Sequence, residues 1–147
     1  GISTGTIFNY LFSALKEKYE MKFNKNLFKE LKEHIYSSCI HDAVVKSIEY
    51  KQNEKILIID AENSFFNTEF RIIFSDIECL LSIKGKQFGN DESIISLTAE
   101  DDFSYLYNYL NSHVEFDENN VYILIQMLSG SELHILSQEV EISIEKI

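Results

Sequence analysis

Hydrophobic positions in the first third of the chain recur with the spacing of amphipathic helices. The first apolar stripe consists of Ile7, Phe8, Leu11, Phe12, Leu15 and Tyr19, and the second consists of Leu27, Phe28, Leu31 and Ile35. Ser3 or Thr4 is placed to cap the first helix. Asn24 or Asn26 is placed to begin the second. We therefore predict two helices within residues 4–37, each with a wide apolar face that another element must cover.

From Ala43 onward, apolar residues occur in short β-rich runs separated by turn residues. The runs that predict strands are VVKSIEY at 44–50, KILIIDA at 55–61, FRIIF at 70–74, ECLLSI at 78–83, SIISLT at 93–98, VYILIQML at 121–128, ELHIL at 132–136 and EVEISIE at 139–145. Most connections are too short for crossover helices, so we predict an antiparallel meander. Residues 75–76 and 137–138 are predicted to separate neighbouring strands. Residues 121–128 are apolar on both faces, which predicts a central strand or one covered by a helix.

Residues 100–113 fit two different structures. An acidic start consists of Glu100, Asp101 and Asp102, a helical face consists of Phe103, Leu106 and Leu110, and an alternating set consists of Tyr105, Tyr107 and Tyr109. Acidic residues before an apolar 3.6-residue pattern are typical of a helix start, whereas alternation with a period of two is typical of a strand. We favour a short helix around residues 101–111 and keep the strand as the alternative.

Length and composition fit one folded domain. The chain of 147 residues is 45% hydrophobic and 13% aromatic, which suffices for a substantial core. Cys39 and Cys79 match no ligand spacing, and we interpret them as buried free thiols rather than a disulfide. No run is long enough to span a membrane and no secretory signal is recognised, so we expect a cytoplasmic protein. The prediction is a single α+β domain over residues 1–147, helical in 4–37 and mainly β in 43–145, with its two helices packed on the antiparallel sheet.

Charge is distributed unevenly along the chain. The formal net charge is −11, made up of +2 in residues 1–40 and −13 in residues 41–147, and no Lys or Arg occurs between Gln87 and Glu145. Nucleic-acid binding requires Lys and Arg to neutralise phosphates, so we expect no nucleic-acid partner. The alternatives for this acidic surface are attraction of a basic protein and simple solvation of the fold.

The dipeptide His41–Asp42, at the change from helical to strand pattern, is the main candidate for chemistry. A metal-dependent hydrolase using this pair would need further ligands. The remaining histidines are His34, His113 and His134. His34 lies at the edge of an apolar stripe, and His134 lies in a strand where it is expected to face water or the opposite sheet face. We favour a structural joint, in which the Asp42 carboxylate accepts backbone amides and His41 holds the same corner. No nucleotide-binding or nucleophile motif occurs, and we expect no catalytic residue, metal or cofactor.

Two segments resemble a group of small bacterial domains, mostly uncharacterised. The resemblance rests on the order HDAVVKSIEY, KILIIDAE, FRIIFSDIECL and YILIQMLSGSELHILSQEVEI, and covers residues 41–83 and 121–145. Its specific residues are His41, Asp42, Ser129, Gly130 and Glu132. In this group an HD-x-x-[VI]-x-x-I strand opens an antiparallel meander, and some members look like immunity proteins encoded beside toxins. The resemblance implies a fold and a genomic setting, and it carries over no catalytic residue.

Three functional hypotheses follow. The first is a non-catalytic protein-binding module, of the immunity type, that occludes a basic partner or toxin. Its predicted contact residues are Glu100, Asp101, Asp102, Tyr105 and Tyr109, because acids steer a basic partner and tyrosines anchor interfaces. The second is a metal-dependent hydrolase that uses His41 and Asp42. The third is a self-associating structural domain, a homodimer formed through an exposed sheet edge.

Overall fold

The chain folds around one large antiparallel sheet. The computed structural model describes residues 18–85, 92–110 and 114–147. In chain order, the elements are β1 (Tyr19–Phe23), a 3₁₀ turn (Lys25–Leu27), α1 (Phe28–Ser37), β2 (Val44–Lys51), β3 (Ile56–Asn63), β4 (Thr68–Ile83), β5 (Ile94–Glu100), α2 (Ser104–Tyr107), β6 (Val121–Met127) and β7 (Glu132–Lys146). The α+β class and the antiparallel sheet are therefore confirmed. No helix in the described part of the chain has the length and apolar character needed to cross a membrane.

Two long neighbouring strands organise the sheet. The strand order is β2-β3-β4-β7-β6-β5, with β1 also paired to β7. β4 pairs with β7 along its whole length, from Thr68 opposite Lys146 to Ile83 opposite Glu132. The other edge of β7 is shared, since its first half pairs with β6 and its second half with β1. The predicted meander is thus two three-stranded meanders that meet at β4 and β7.

The two outer strands of the sheet approach each other at one end. Val44 at the start of β2 forms a bridge with Ser93, just before β5. The Ile94 amide donates to the Ala43 carbonyl at 2.9 Å, and the Asp42 amide donates to the Ile94 carbonyl at 2.8 Å. The sheet therefore curves around a core built from its inner face. The inner core includes Leu57, Ile59, Phe70, Ile72, Phe74, Ile123, Ile125, Val140 and Ile142, with Leu31 and Ile35 of α1 packed into it.

The N-terminal part of the prediction needs correction. The second predicted helix is confirmed as α1, which begins at Phe28. Asn24 caps the 3₁₀ turn that precedes it, because its side chain accepts the Asn26 amide at 3.0 Å. The prediction that the first helix reaches Tyr19 is wrong, because Tyr19–Phe23 is strand β1. In this segment polar Glu20 and Lys22 alternate with apolar neighbours, and the period of two prevails because β7 offers an open edge. Within the described residues α1 is the N-terminal helix, and residues 1–17, where the first helix was predicted, lie outside them.

Both predicted breaks within the long strands are also wrong. β4 continues through residues 75–76 without a change of register, with Asp76 at a φ of 55°, and a bulge follows between Ile77 and Cys79. β7 continues through residues 137–138, and Ser137 is fully buried there, opposite both Ile77 and Val121. Polar residues in the middle of a sheet are tolerated because the ladder satisfies their backbone groups.

The prediction for β6 is confirmed. It lies between β5 and β7, with Ile123 and Ile125 on the inner face. On its outer face, Tyr122 and Leu124 form a second hydrophobic cluster with Leu106 of α2. Phe103, Leu110 and Phe116 pack around this outer cluster. The segment that contains α2 therefore acts as a cover over β6.

Candidate functional site

Alternation along β6 and β7 brings a polar group to the outer face of the sheet. Glu132 and His134 lie on that face of β7, and Tyr122 and Gln126 lie on that face of β6. The antiparallel register places Gln126 opposite Glu132. The α2 segment then brings Tyr105 and Tyr109 over the same position. The cluster of Tyr105, Tyr109, Tyr122, Glu132 and His134, here called the tyrosine cluster, is the candidate site.

Glu132 is the acceptor that holds the α2 segment against the sheet. The Tyr105 hydroxyl donates to its carboxylate at 2.9 Å and the Tyr109 hydroxyl donates at 2.8 Å, while the Gln126 amide adds a longer bond at 3.3 Å. The two hydroxyls lie 3.1 Å apart, as the helical spacing of four residues allows. These charge-assisted bonds replace the hydration that the buried carboxylate has lost.

His134 lies at the centre of the cluster with no exposure to solvent. Its Nδ1 is 2.5 Å from the Tyr122 hydroxyl, and its Nε2 is 3.7 Å from the Glu132 carboxylate. Within the described part of the chain, Nε2 has no hydrogen-bond partner. The nearby carboxylate favours a proton on Nε2, so we assign the tautomer in which Tyr122 donates to Nδ1. The rings of Tyr105, Tyr109 and Tyr122 enclose the imidazole at centroid distances of 5.6, 5.2 and 5.9 Å.

The protonation states of the cluster follow from this packing. Burial lowers the pKa of His134, although the Glu132 carboxylate acts in the opposite direction, so the imidazole is neutral near pH 7. Burial raises the pKa of Glu132, but bonds from Tyr109, Tyr105 and Gln126 outweigh it and leave the pKa below its usual value. The hydrogen bonds with Tyr105 and Glu132 raise the pKa of the Tyr109 phenol. The cluster thus holds one carboxylate, one neutral imidazole and neutral phenols that donate.

The two basic groups of the tyrosine cluster, Glu132 and His134, are withdrawn from solvent. His134 has no exposure to solvent and Glu132 is 9% exposed, so a substrate reaches neither base without displacing the tyrosines. Tyr105 and Tyr109 are fixed by Glu132 yet remain 38% and 41% exposed. The site therefore presents two rigid aromatic rings to solvent. Of the two positions expected for His134, the structure shows the sheet face opposite Leu133 and Ile135, where the imidazole is buried and does not face water. Glu132 was named from the sequence only within the resemblance. The signal for both residues is their alternation with Leu133 and Ile135.

The three predicted acidic contact residues lie at the start of the same segment. Asp101 forms an ion pair with Lys32 of α1 at 3.1 Å. Asp102 accepts the Ser104 amide at 2.9 Å, and this bond lowers the pKa of its carboxyl. Glu100 accepts the Thr98 hydroxyl at 3.1 Å. All five predicted contact residues thus belong to the short path from the end of β5 through α2, although the two tyrosines also have an internal role.

His41 and Asp42 are exposed in the turn between α1 and β2. The Asp42 backbone amide donates to Ile94, and Asp42 has a φ of 66°. The Asn63 side chain ties this turn to β3, because its amide donates to the carbonyls of Cys39 at 3.0 Å and His41 at 3.4 Å. The contacts that hold this corner are therefore backbone groups and Asn63, a residue that sequence reasoning did not identify.

Among the described residues, the structure does not bring the histidines His34, His41 and His134 together. His34 is buried beside Phe23, and burial lowers its pKa to about 4, whereas His134 lies in the tyrosine cluster on the outer face. His113 lies outside the described residues. Across residues 18–85, 92–110 and 114–147, no three His, Cys, Asp or Glu side chains are grouped closely enough to hold a metal ion.

Comparisons with known proteins do not assign this chain to a family. Neither the models of known protein families nor the curated proteins contain a match to the chain. The resemblance to immunity-like bacterial domains therefore stays a prediction.

Proposed function

We propose that this protein is a non-catalytic module that binds a basic protein partner through the exposed rings of Tyr105 and Tyr109 and the acids of residues 100–102. The observation that carries the proposal is the fixed position of two half-exposed tyrosines on a buried carboxylate. The finer form of the proposal is an immunity-type protein that occludes a toxin. The free thiols of Cys39 and Cys79 support a reducing compartment such as the cytoplasm for this role.

Fixed tyrosines favour binding because ordering side chains at an interface costs free energy. Immobilising a flexible side chain on association costs about 0.5–1.5 kcal/mol. The bonds to Glu132 and the edge-to-face contact between Tyr105 and Tyr109, at 5.5 Å between centroids, order the rings before the partner arrives. The rings then supply contact area at low entropic cost.

Charge favours a basic partner for this surface. Residues 87–145 contain no Lys or Arg, so the surrounding surface has no cation from its own segment. Lys32 neutralises part of Asp101 from α1, but Asp102 and Glu100 remain acidic. Such a surface attracts cations over about a Debye length and raises association rates at low salt.

The test is affinity capture from the native host with wild-type protein and the double variant Asp101→Asn/Asp102→Asn. Asparagine at position 102 keeps an oxygen that accepts the Ser104 amide, and the ion pair lost at Asp101 is exposed, so we expect the fold to be retained. The matched control is Glu49→Gln/Glu54→Gln, which removes the same charge from exposed positions on and beyond β2. The purified captured protein is then used to measure association rates against salt concentration.

We expect the double variant to associate about three- to tenfold more slowly at low salt, with a weaker salt dependence, while the control keeps the wild-type rate. Equal rates for wild type and double variant at every salt concentration would refute the proposed surface.

A further inference from the structure

A cleft beside the tyrosine cluster combines aromatic walls with carboxylates. Its volume is about 650 Å³, and it lies between the start of α2, the loop before β6 and the 3₁₀ turn. Tyr107 and Phe116 stack with their ring centroids 5.9 Å apart and an interplanar angle of 19°. Phe103 packs at 6.5 Å from Tyr107. The three rings give this opening, here called the aromatic cleft, an apolar and rigid wall.

The charge of the aromatic cleft is strongly negative. Its carboxylates are Asp101, Asp102, Glu115 and Glu118. Among the residues that line it in the described part of the chain, Lys25 is the one cation, and Lys32 pairs with Asp101 from α1. Two negative charges remain after both lysines are counted. Glu115 and Glu118 form no ion pair within the described residues, so they are available to a ligand.

Lys25 shows what kind of group the aromatic cleft accepts. Its ammonium lies 5.5 Å from the centroid of Phe103 and 4.9 Å from the centroid of Phe28. Both distances are within the range in which a cation is attracted to the face of an aromatic ring. An ammonium from the chain itself thus lies at the edge of the aromatic cleft, and Glu115 and Glu118 line the same cleft.

We propose that the aromatic cleft is a recognition site for one lysine or arginine side chain of the partner, and that Lys25 occupies its edge until that side chain displaces it. This inference rests on the proposed function, and it names the group on the partner that is read. The aromatic rings contact the aliphatic stem and the face of the cation, while Glu115 and Glu118 accept hydrogen bonds from its N–H groups. Arginine fits particularly well, because its planar guanidinium both stacks on rings and pairs with carboxylates.

The test is an NMR titration of the full chain with Nα-acetyl-arginine methylamide and Nα-acetyl-lysine methylamide. Nα-acetyl-norleucine methylamide, which lacks the charge, is the control ligand. We expect saturable shifts of the Phe103, Tyr107 and Phe116 amides with a Kd of the order of millimolar, as a single small contact gives. Saturation elsewhere on the chain only, or equal shifts with the norleucine compound, would overturn the inference.

Variants separate specific recognition from general acidity. Lys25→Gln removes the internal competitor and is expected to tighten arginine binding by about twofold or more. Lys29→Gln makes the same change in net charge at an exposed position on α1, and it is expected to leave the Kd unchanged. Glu115→Gln/Glu118→Gln is expected to weaken binding by about threefold or more. If Lys25→Gln and Lys29→Gln give the same Kd for the arginine compound, Lys25 does not compete with the ligand for the aromatic cleft.

The two proposals fail in different ways. If the arginine compound titrates the aromatic cleft but the captured partner is insensitive to Asp101→Asn/Asp102→Asn, the recognition site stands and the proposed partner surface falls. If the partner depends on those acids but ignores Glu115→Gln/Glu118→Gln, the partner surface stands and the recognition site falls.

Discussion

Glu132 is a carboxylate almost withdrawn from water, and a buried charge is unfavourable unless hydrogen bonds replace its hydration. Tyr105, Tyr109 and Gln126 supply those bonds from two separate elements. The same residue therefore fixes the exposed rings and couples the α2 segment to the sheet. Loss of one donor weakens the attachment of the α2 segment to the sheet, whereas loss of the Glu132 charge weakens the bonds from all of its donors.

We predict that Tyr109→Phe lowers the free energy of unfolding by roughly 1–2 kcal/mol, because one hydrogen bond to an ionised group is lost. Glu132→Gln is expected to cost about 2–3 kcal/mol, since an amide cannot accept both phenols equally well. Urea unfolding measures both values. Tyr36→Phe, at a position 89% exposed, is the control and should change stability by less than about 0.5 kcal/mol. A cost for Tyr109→Phe no larger than that of the control would contradict the role of Glu132.

Part of this site can be predicted from sequence, and the limit is physical. Tyr105 and Tyr109 are four residues apart, so a helical turn is enough to place them side by side. Their acceptor lies 23 residues beyond Tyr109, and its position depends on the register of β6 against β7. A register is set by the whole hydrophobic pattern of both strands and the turn between them, not by any local motif. The sequence therefore predicts the acids and tyrosines as a surface, but it does not predict that Glu132 anchors the tyrosines.

At the scale of elements, α2 is a cover that has little helical stability of its own. It has four residues. Beyond it the chain makes 3₁₀-type hydrogen bonds, from the Tyr109 amide to the Leu106 carbonyl at 3.0 Å and from the Leu110 amide to the Tyr107 carbonyl at 3.2 Å. The predicted helix over residues 101–111 is therefore too long, since Ser, Tyr and Asn are weak helix formers. The segment is held instead by the outer hydrophobic cluster and by Glu132.

We predict that Leu106→Ala loosens this cover. Leu106 is fully buried between α2 and β6, so its truncation should cost about 2–5 kcal/mol. Chemical denaturation gives the loss, and hydrogen exchange should show faster exchange of the amides around residues 103–110. Leu128→Ala removes the same atoms at a position 46% exposed and serves as the control. Equal losses in the two variants would mean that the outer cluster does not hold the segment.

Strand prediction succeeds where an apolar run is uninterrupted and fails where a second signal competes with it. The apolar runs predict β3 and β6 correctly, whereas the polar residues inside β4 and β7 wrongly predict turns. Those residues lie in strands because each long strand has the other as a partner along its full length. At β1, Tyr19 also completes a 3.6-residue stripe that predicts a helix, but the segment pairs with the free edge of β7 and is a strand. Whether a neighbouring strand has a free edge depends on the assembled sheet, so it cannot be deduced from the sequence of one segment.

At the scale of the whole molecule, the two hydrophobic clusters share strands. β6 and β7 contribute their inner side chains to one cluster and their outer side chains to the other. The bridge between Val44 and Ser93 links the outer strands as well. Each cluster contains or borders a buried histidine, His34 beside the inner core and His134 in the tyrosine cluster. Unfolding therefore exposes both imidazoles together, which couples the stability of the entire domain to protons.

We predict that the free energy of unfolding falls as the pH is lowered from about 6.5 towards 4. Burial lowers the pKa of His34 to about 4 and also lowers that of His134. Between about pH 6.5 and 4 the unfolded chain therefore binds more protons than the folded chain. The contribution of the buried neutral histidines to the free energy of unfolding is therefore fully present above the unfolded pKa. It is lost as the pH falls towards the folded pKa, by about 3 kcal/mol for His34 alone. Urea unfolding at a series of pH values measures the slope. His34→Leu should flatten it, whereas Ile35→Val, a packing change in the same helix, should lower stability equally at every pH. A slope that survives His34→Leu undiminished would show that His34 is open to protons in the folded state.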